Sequence, residues 1–119
     1  MQKKIVFLCS GKGSNFKAVV EHIRARKLEV EISGLISDNS NAGALELAKE
    51  FGIPVYIIPF EKYSQAKEKF HLEMEKLLVA LSPSLIVAAG YMRILPTAII
   101  NRFVNRIINI HPSLLPSFK

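Results

Sequence analysis

The sequence predicts an α/β fold: a Rossmann-like open parallel sheet with helices on both faces, formed as a single domain over residues 1–119. Three observations predict it. Short apolar runs alternate with longer stretches whose apolar residues recur at helical spacing, strand then helix along the whole chain. The run at 85–89 is apolar at every position, as a strand covered on both faces must be. No repeat, linker or low-complexity segment interrupts the alternation, and parallel neighbours joined by helices require right-handed crossovers.

Each element has its own signal. Residues 4–9 are a continuous apolar run and predict a buried first strand. The polar, glycine-containing stretch 10–15 is a turn, with Ser14 expected as the N-cap of a helix that carries Phe16, Val19, Val20 and Ile23 to about Lys27. Residues 30–36 give a second strand, which ends in the polar loop 37–41. Ala44, Leu47, Ala48 and Phe51 mark a second helix, closed by Gly52 with Pro54 just beyond. Residues 55–58 form the third strand and Pro59 ends it. The third helix is long, with Ala66, Phe70, Met74, Leu77, Leu78 and Leu81 on one stripe before Ser82 and Pro83 stop it. After the strand 85–89, Gly90 breaks the run. Pro96 fits the first position of a short helix through Ile99, Ile100 and Phe103. Residues 106–110 are the fifth strand, expected to be buried through Ile107 and Ile108.

Composition narrows the class of function. Half of the residues are hydrophobic, which excludes intrinsic disorder, and no apolar run approaches the ~20 residues of a membrane-spanning helix. The basic-then-apolar start is too short for a signal sequence and lacks a small-residue cleavage site. Cys9 is the only cysteine; it excludes an internal disulfide and fits a cytoplasmic, reducing location, as a packing residue. The net charge of +6 does not point to nucleic acid, because the lysines are scattered. Lys62, Lys67, Lys69 and Lys76 alternate with Glu61, Glu68, Glu73 and Glu75 as on a solvated helix face. Such a surplus serves small phosphorylated or polycarboxylate ligands equally well.

Three motifs stand at strand ends, where open α/β sheets bind their ligands. In S-G-K-G-S-N (10–15), two glycines permit a tight turn against a helix N-terminus that favours an anion, with Lys12 and Lys17 adding charge. It is neither a dinucleotide fingerprint, since Phe16 stands at the third glycine position, nor a Walker A loop. Without a ligand it would be a plain strand-to-helix turn. In G-Y-M-R-I-L (90–95), the apolar side chains either wall a pocket for a flat heterocycle or plug the top of the core. In N-I-H-P-S-L-L-P (109–116), Asn109 and His111 share one face of the chain and bring an amide and a titratable proton to one point, while two prolines stiffen the loop. His22 and His71 fall inside helices among charged neighbours, as surface residues do.

Together, in this order and over essentially the whole chain, these strings resemble the phosphoribosylglycinamide formyltransferases. That family transfers a formyl group from 10-formyltetrahydrofolate to glycinamide ribonucleotide in purine synthesis. The resemblance implies the formyltransferase fold, with small-molecule substrates and no metal, nucleic acid or membrane partner. It assigns Gly11, Gly13, Ser14 and Asn15 to the substrate phosphate, and Lys12 between them is expected to join the site by its charge. It assigns Met92, Arg93, Ile94, Leu95 and Asn109 to the folate, together with Lys67, where the family places a basic residue. Asn109 and His111 become the catalytic pair: the amide would bind the oxyanion formed when the amine attacks the formyl carbon, and the protonated imidazole would donate a proton.

Family members are about twice this long, so the chain is expected to be the N-terminal portion of such a catalytic domain. The family's third catalytic residue, an aspartate of the second half, has no counterpart here. Asp38, the only aspartate, belongs to the loop after the second strand. The chain alone is therefore expected to be weakly active or inactive. A fifth strand near the end would leave an edge for a homodimer partner or a further segment to cover. Formyltetrahydrofolate deformylase and methionyl-tRNA formyltransferase carry related strings and are the alternative within this chemistry. A non-catalytic phosphate-binding module is the alternative outside it.

Overall fold

The computed structural model describes residues 2–110. Five parallel strands form one sheet: β1 (Lys3–Cys9), β2 (Val30–Ser37), β3 (Val55–Ile57), β4 (Leu85–Ala89) and β5 (Ile107–Ile110), in the order β3-β2-β1-β4-β5. Four helices connect them: α1 (Ser14–Ala25), α2 (Ala44–Phe51), α3 (Lys67–Leu81) and α4 (Thr97–Arg102). From β1 the chain first moves one way across the sheet, and after β3 it returns past β1 to the other side. Helices on opposite faces for the two directions keep one crossover hand throughout.

The alternation of side chains along each strand feeds two cores. On one face Ile5, Phe7 and Cys9 of β1 and Leu35 of β2 meet Phe16, Val20 and Ile23 of α1 and Ala44 and Ala48 of α2. Phe7 and Phe16 pack edge to face at 4.9 Å, an arrangement favoured by the ring quadrupoles. On the other face Val6, Leu8, Ile36, Ile86 and Ala88 meet Phe70, Met74 and Leu78 of α3 and Ile99 and Phe103 of α4. Each fully buried side chain of this kind contributes ~1.5–3 kcal/mol. β1 and β4 are buried on both faces, which is why they read as unbroken apolar runs.

Three boundaries differ from the sequence expectation. Gly13, not Ser14, is the N-cap of α1; its φ of 87° is left-handed, a backbone that glycine adopts without penalty. Pro96 is the N-cap of α4 rather than its first residue, with helical geometry starting at Thr97. A single 3-10 turn, Phe60–Tyr63, follows β3 and is too short to show a periodicity in sequence. The expected burial of β5 is also corrected. Among the described residues it is an edge strand, and Ile108 is 48 % exposed because α1 and α2 cover β1 and β2 instead.

Candidate functional site

The strand order reverses between β1 and β4, so the loops leaving these two strands part to opposite sides and open a crevice at the carboxyl edge. Ser10, the first residue beyond β1, ties the crevice together. Its N–H donates to the carbonyl of Gly90 at 3.2 Å, and its hydroxyl accepts the N–H of Met92 at 2.8 Å. Its carbonyl accepts the side-chain amide of Asn39 at 3.3 Å. Loops after β1, β2 and β4 are thus joined at one buried serine.

The 10–15 loop is held from within the protein. Lys17 N–H donates to Gly13 at 2.8 Å to begin α1, and Ala44 N–H donates to the carbonyl of Gly11 at 3.1 Å. A Cβ on Gly13 would lie 2.7 Å from that of Ala44, so the second glycine is required by the close approach of α2 as well as by its φ. Gly11 has open space around its Cα. Lys12 and Ser14 are exposed and Asn15 is half-buried at the start of α1. Lys17 pairs with Glu21 at 3.3 Å on the helix surface, so its charge is already partnered.

The 90–95 loop presents side chains to solvent. Gly90 turns the chain with φ 73°, Tyr91 tucks back into the core, and Met92 and Ile94 are 76 % and 89 % exposed. With Ala88, Tyr91, Ile100, Ile107 and Asn109, residues 92–95 line a mostly apolar cavity of about 530 Å³. The structure therefore brings Asn109, at the end of β5, to the same cavity as the 92–95 loop. A neighbouring groove of about 280 Å³ has Lys67, His71 and Phe60 on one side and residues 92–94 on the other. His71, expected at the plain surface, is half-buried beside this groove. His111 lies outside the described residues.

Two features have no counterpart in the sequence reading. Asp38 is buried, and its Oδ2 accepts the Nε–H of Arg93 at 2.8 Å across 55 residues of chain. The guanidinium carbon of Arg93 stands 3.7 Å from the ring centre of Phe60, a cation–π contact. Burial, reinforced by the negative charge of Asp38, pushes the Tyr91 phenol up from its ordinary value. Burial also raises the Cys9 thiol, with the backbone at Gly11 opposing and Asp38 adding to the shift, so Cys9 is an inert thiol at neutral pH. The signal that could have pointed to Asp38 is its place as the one aspartate, at the end of a strand.

Among the described residues no group of three or more His, Cys, Asp or Glu side chains is placed to hold a metal ion, and no helix is long and apolar enough to cross a membrane.

Residues 3–119 match the model of the family described as formyl transferase. The phosphoribosylglycinamide formyltransferase of Escherichia coli is 32 % identical over 114 residues, which span 96 % of this chain and 53 % of that protein. The solved structure of a phosphoribosylglycinamide formyltransferase from Coxiella burnetii superposes with a TM-score of 0.87 at 38 % identity, over 99 % of this chain and 55 % of that one. One from Brucella melitensis gives 0.88 at 36 % identity, covering 99 % and 61 %. The chain thus spans about half the length of the E. coli enzyme and somewhat more than half of the two solved chains. On sequence and fold together, the chain belongs to the formyl transferase family.

Proposed function

We propose that this chain carries the nucleotide- and folate-binding part of a phosphoribosylglycinamide formyltransferase, moving a formyl group from 10-formyltetrahydrofolate to glycinamide ribonucleotide. The observation that carries the reading is the shared cavity: Asn109 faces the same roughly 530 Å³ space that the 92–95 loop walls. Ligand cavities run ~300–1,000 Å³, apolar with a few placed polar groups, and a pterin ring fits that description. Backbone groups of the 92–95 loop would read the edge of the ring while Met92, Ile94 and Leu95 cover its faces. Lys67 and Arg93, on the adjoining groove, would meet the anionic end of the folate.

The substrate phosphate would sit at the 10–15 loop. Gly11, Ser14 and Asn15 offer backbone N–H groups at the N-terminus of α1, Lys12 adds an exposed charge, and Gly13 makes the turn that aims them. The amine would then attack the formyl carbon, and negative charge would develop on the formyl oxygen. Asn109 would donate a hydrogen bond to that oxygen. His111, protonated, would stabilise it and pass its proton to the departing folate nitrogen as the carbon–nitrogen bond to the folate breaks, and would take up in return the proton that the attacking amine loses. The reading places the protein in the cytoplasm, where the buried thiol of Cys9 stays reduced.

The acceptor is tested directly. Incubating the protein, as its source organism makes it, with 10-formyltetrahydrofolate and each of glycinamide ribonucleotide, water and methionyl-tRNA should give transfer to the ribonucleotide alone. Transfer to water or tRNA in its place would move the protein to a deformylase or tRNA formyltransferase role. Phosphate binding with no transfer to any acceptor would make it a binding module.

A further inference from the structure

We propose that Asp38 is a positioning residue: it holds Arg93, and through Arg93 the exposed 92–94 segment, as a fixed wall of the cavity. The functional half of this inference rests on the folate-pocket reading above. At the end of the second strand, doubly wound dinucleotide-binding folds present a carboxylate to a ribose. Here the same position is turned inward, with the Asp38 side chain 1 % exposed and therefore closed to a ligand.

Asp38 grips Arg93 from two directions. Its carboxylate accepts the Nε–H at 2.8 Å, a charge-assisted bond. Its carbonyl accepts the N–H of Phe60 at 3.0 Å, which sets the ring that lies 3.7 Å below the guanidinium carbon. Phe60 is in turn wedged edge to face against Phe70 at 4.9 Å. Arg93 is thus fixed by one edge and one face, with the rest of its fork left toward the groove it shares with Lys67. Little else restrains this segment. Among the described residues its other hydrogen bond is Met92 N–H to Ser10, and the side chains of Met92 and Ile94 have almost no cover. The second carboxylate oxygen, Oδ1, is buried with no partner among the described residues, so the bond from Arg93 is the one side-chain hydrogen bond the Asp38 carboxylate receives there.

The test is a double-mutant cycle of Asp38→Asn and Arg93→Met in the protein as its source makes it. Asp38→Asn should raise KM for 10-formyltetrahydrofolate about tenfold with kcat held within about twofold, and should add little once Arg93 is Met. Independently of any ligand, Asp38→Asn should release the slow-exchanging Nε–H of Arg93 seen by NMR. Adding it to Arg93→Met should raise the melting temperature by replacing a buried carboxylate that has lost its partner; this arm decides the matter even if Asp38→Asn alone does not fold. An unchanged KM in Asp38→Asn overturns the proposal, as does simple additivity of the two substitutions. If the unaltered protein transfers no formyl group, the functional reading falls. The NMR and melting arms then decide the clamp alone: a protected Nε–H that Asp38→Asn releases upholds it, and an Nε–H indifferent to the substitution removes it.

Discussion

The loops after β1 and β4 leave neighbouring strands at the same edge of the sheet, joined through Ser10, yet they are made in opposite ways. The 10–15 loop is pinned to protein at Gly13: α2 approaches so tightly there that a single methyl on Gly13 would collide with Ala44 at 2.7 Å. The 90–95 loop is open, and places Met92 and Ile94 in solvent beside a cavity. Burying such side chains in a ligand interface would remove apolar area from water that the folded chain leaves exposed. The two loops answer different physical needs. A glycine reports what the backbone needs at that position, here a left-handed turn and room for a helix. Two uncovered apolar side chains beside a cavity offer a surface for a ligand to cover.

Substitutions can break that contrast. The largest effect is expected from Gly13→Ala, which imposes both a left-handed backbone and a clash; it should destabilise the fold by about 3 kcal/mol or more, read from urea unfolding. Gly11→Ala has open space and should stay within about 0.5 kcal/mol of the unaltered protein. Comparable losses at both positions would mean that the loop is not pinned to α2 at Gly13 as described. On the open side, Met92→Ala with Ile94→Ala should leave stability within about 0.5 kcal/mol. The pair should weaken 10-formyltetrahydrofolate binding about tenfold, or ~1.4 kcal/mol, by equilibrium titration. A large loss of stability there would mean that these side chains plug the core.

The smallest effect is on pH dependence. Tyr91, within the 90–95 loop, and Cys9, just before the 10–15 loop, hold their protons more tightly folded than unfolded. The stability they contribute is complete below their ordinary values of 9.0 for the thiol and 10.0 for the phenol, and is lost as pH rises toward the raised folded values. Urea midpoints should therefore fall with increasing pH in the alkaline range, and Tyr91→Phe should flatten the decline.

Much of the fold was legible because strand and helix periods alternate cleanly, and burial of β1 and β4 on both faces wrote unbroken apolar runs into the sequence. What was not legible depends on residues far apart in the chain. Ser14 looked like a cap, but the need of α2 for space put Gly13 there. Ile107 and Ile108 read as buried, yet burial is a property of neighbours, and β5 has a described strand on one side only. At the site, the glycines and the 92–95 loop stood out as local strings. The Asp38–Arg93–Phe60 cluster did not: Arg93 belongs to the 90–95 string, but Asp38 and Phe60 come from two other stretches and neither carries a local pattern that pairs it with Arg93. His71 looked like a surface residue for the same reason: its helix is charged, and only the fold shows that the 90–95 loop passes beside it.

If the tip of β5 and the 92–95 loop form one catalytic cleft, as proposed, Asn109→Ala will show it. Asn109 is exposed, so the substitution leaves the core untouched. In the protein as its source makes it, with saturating 10-formyltetrahydrofolate and glycinamide ribonucleotide, kcat should fall about 10²–10³-fold, as for loss of an oxyanion donor. An Asn109→Ala protein that folds normally and keeps full kcat would mean that Asn109 does not bind the oxyanion and that the cleft is not catalytic.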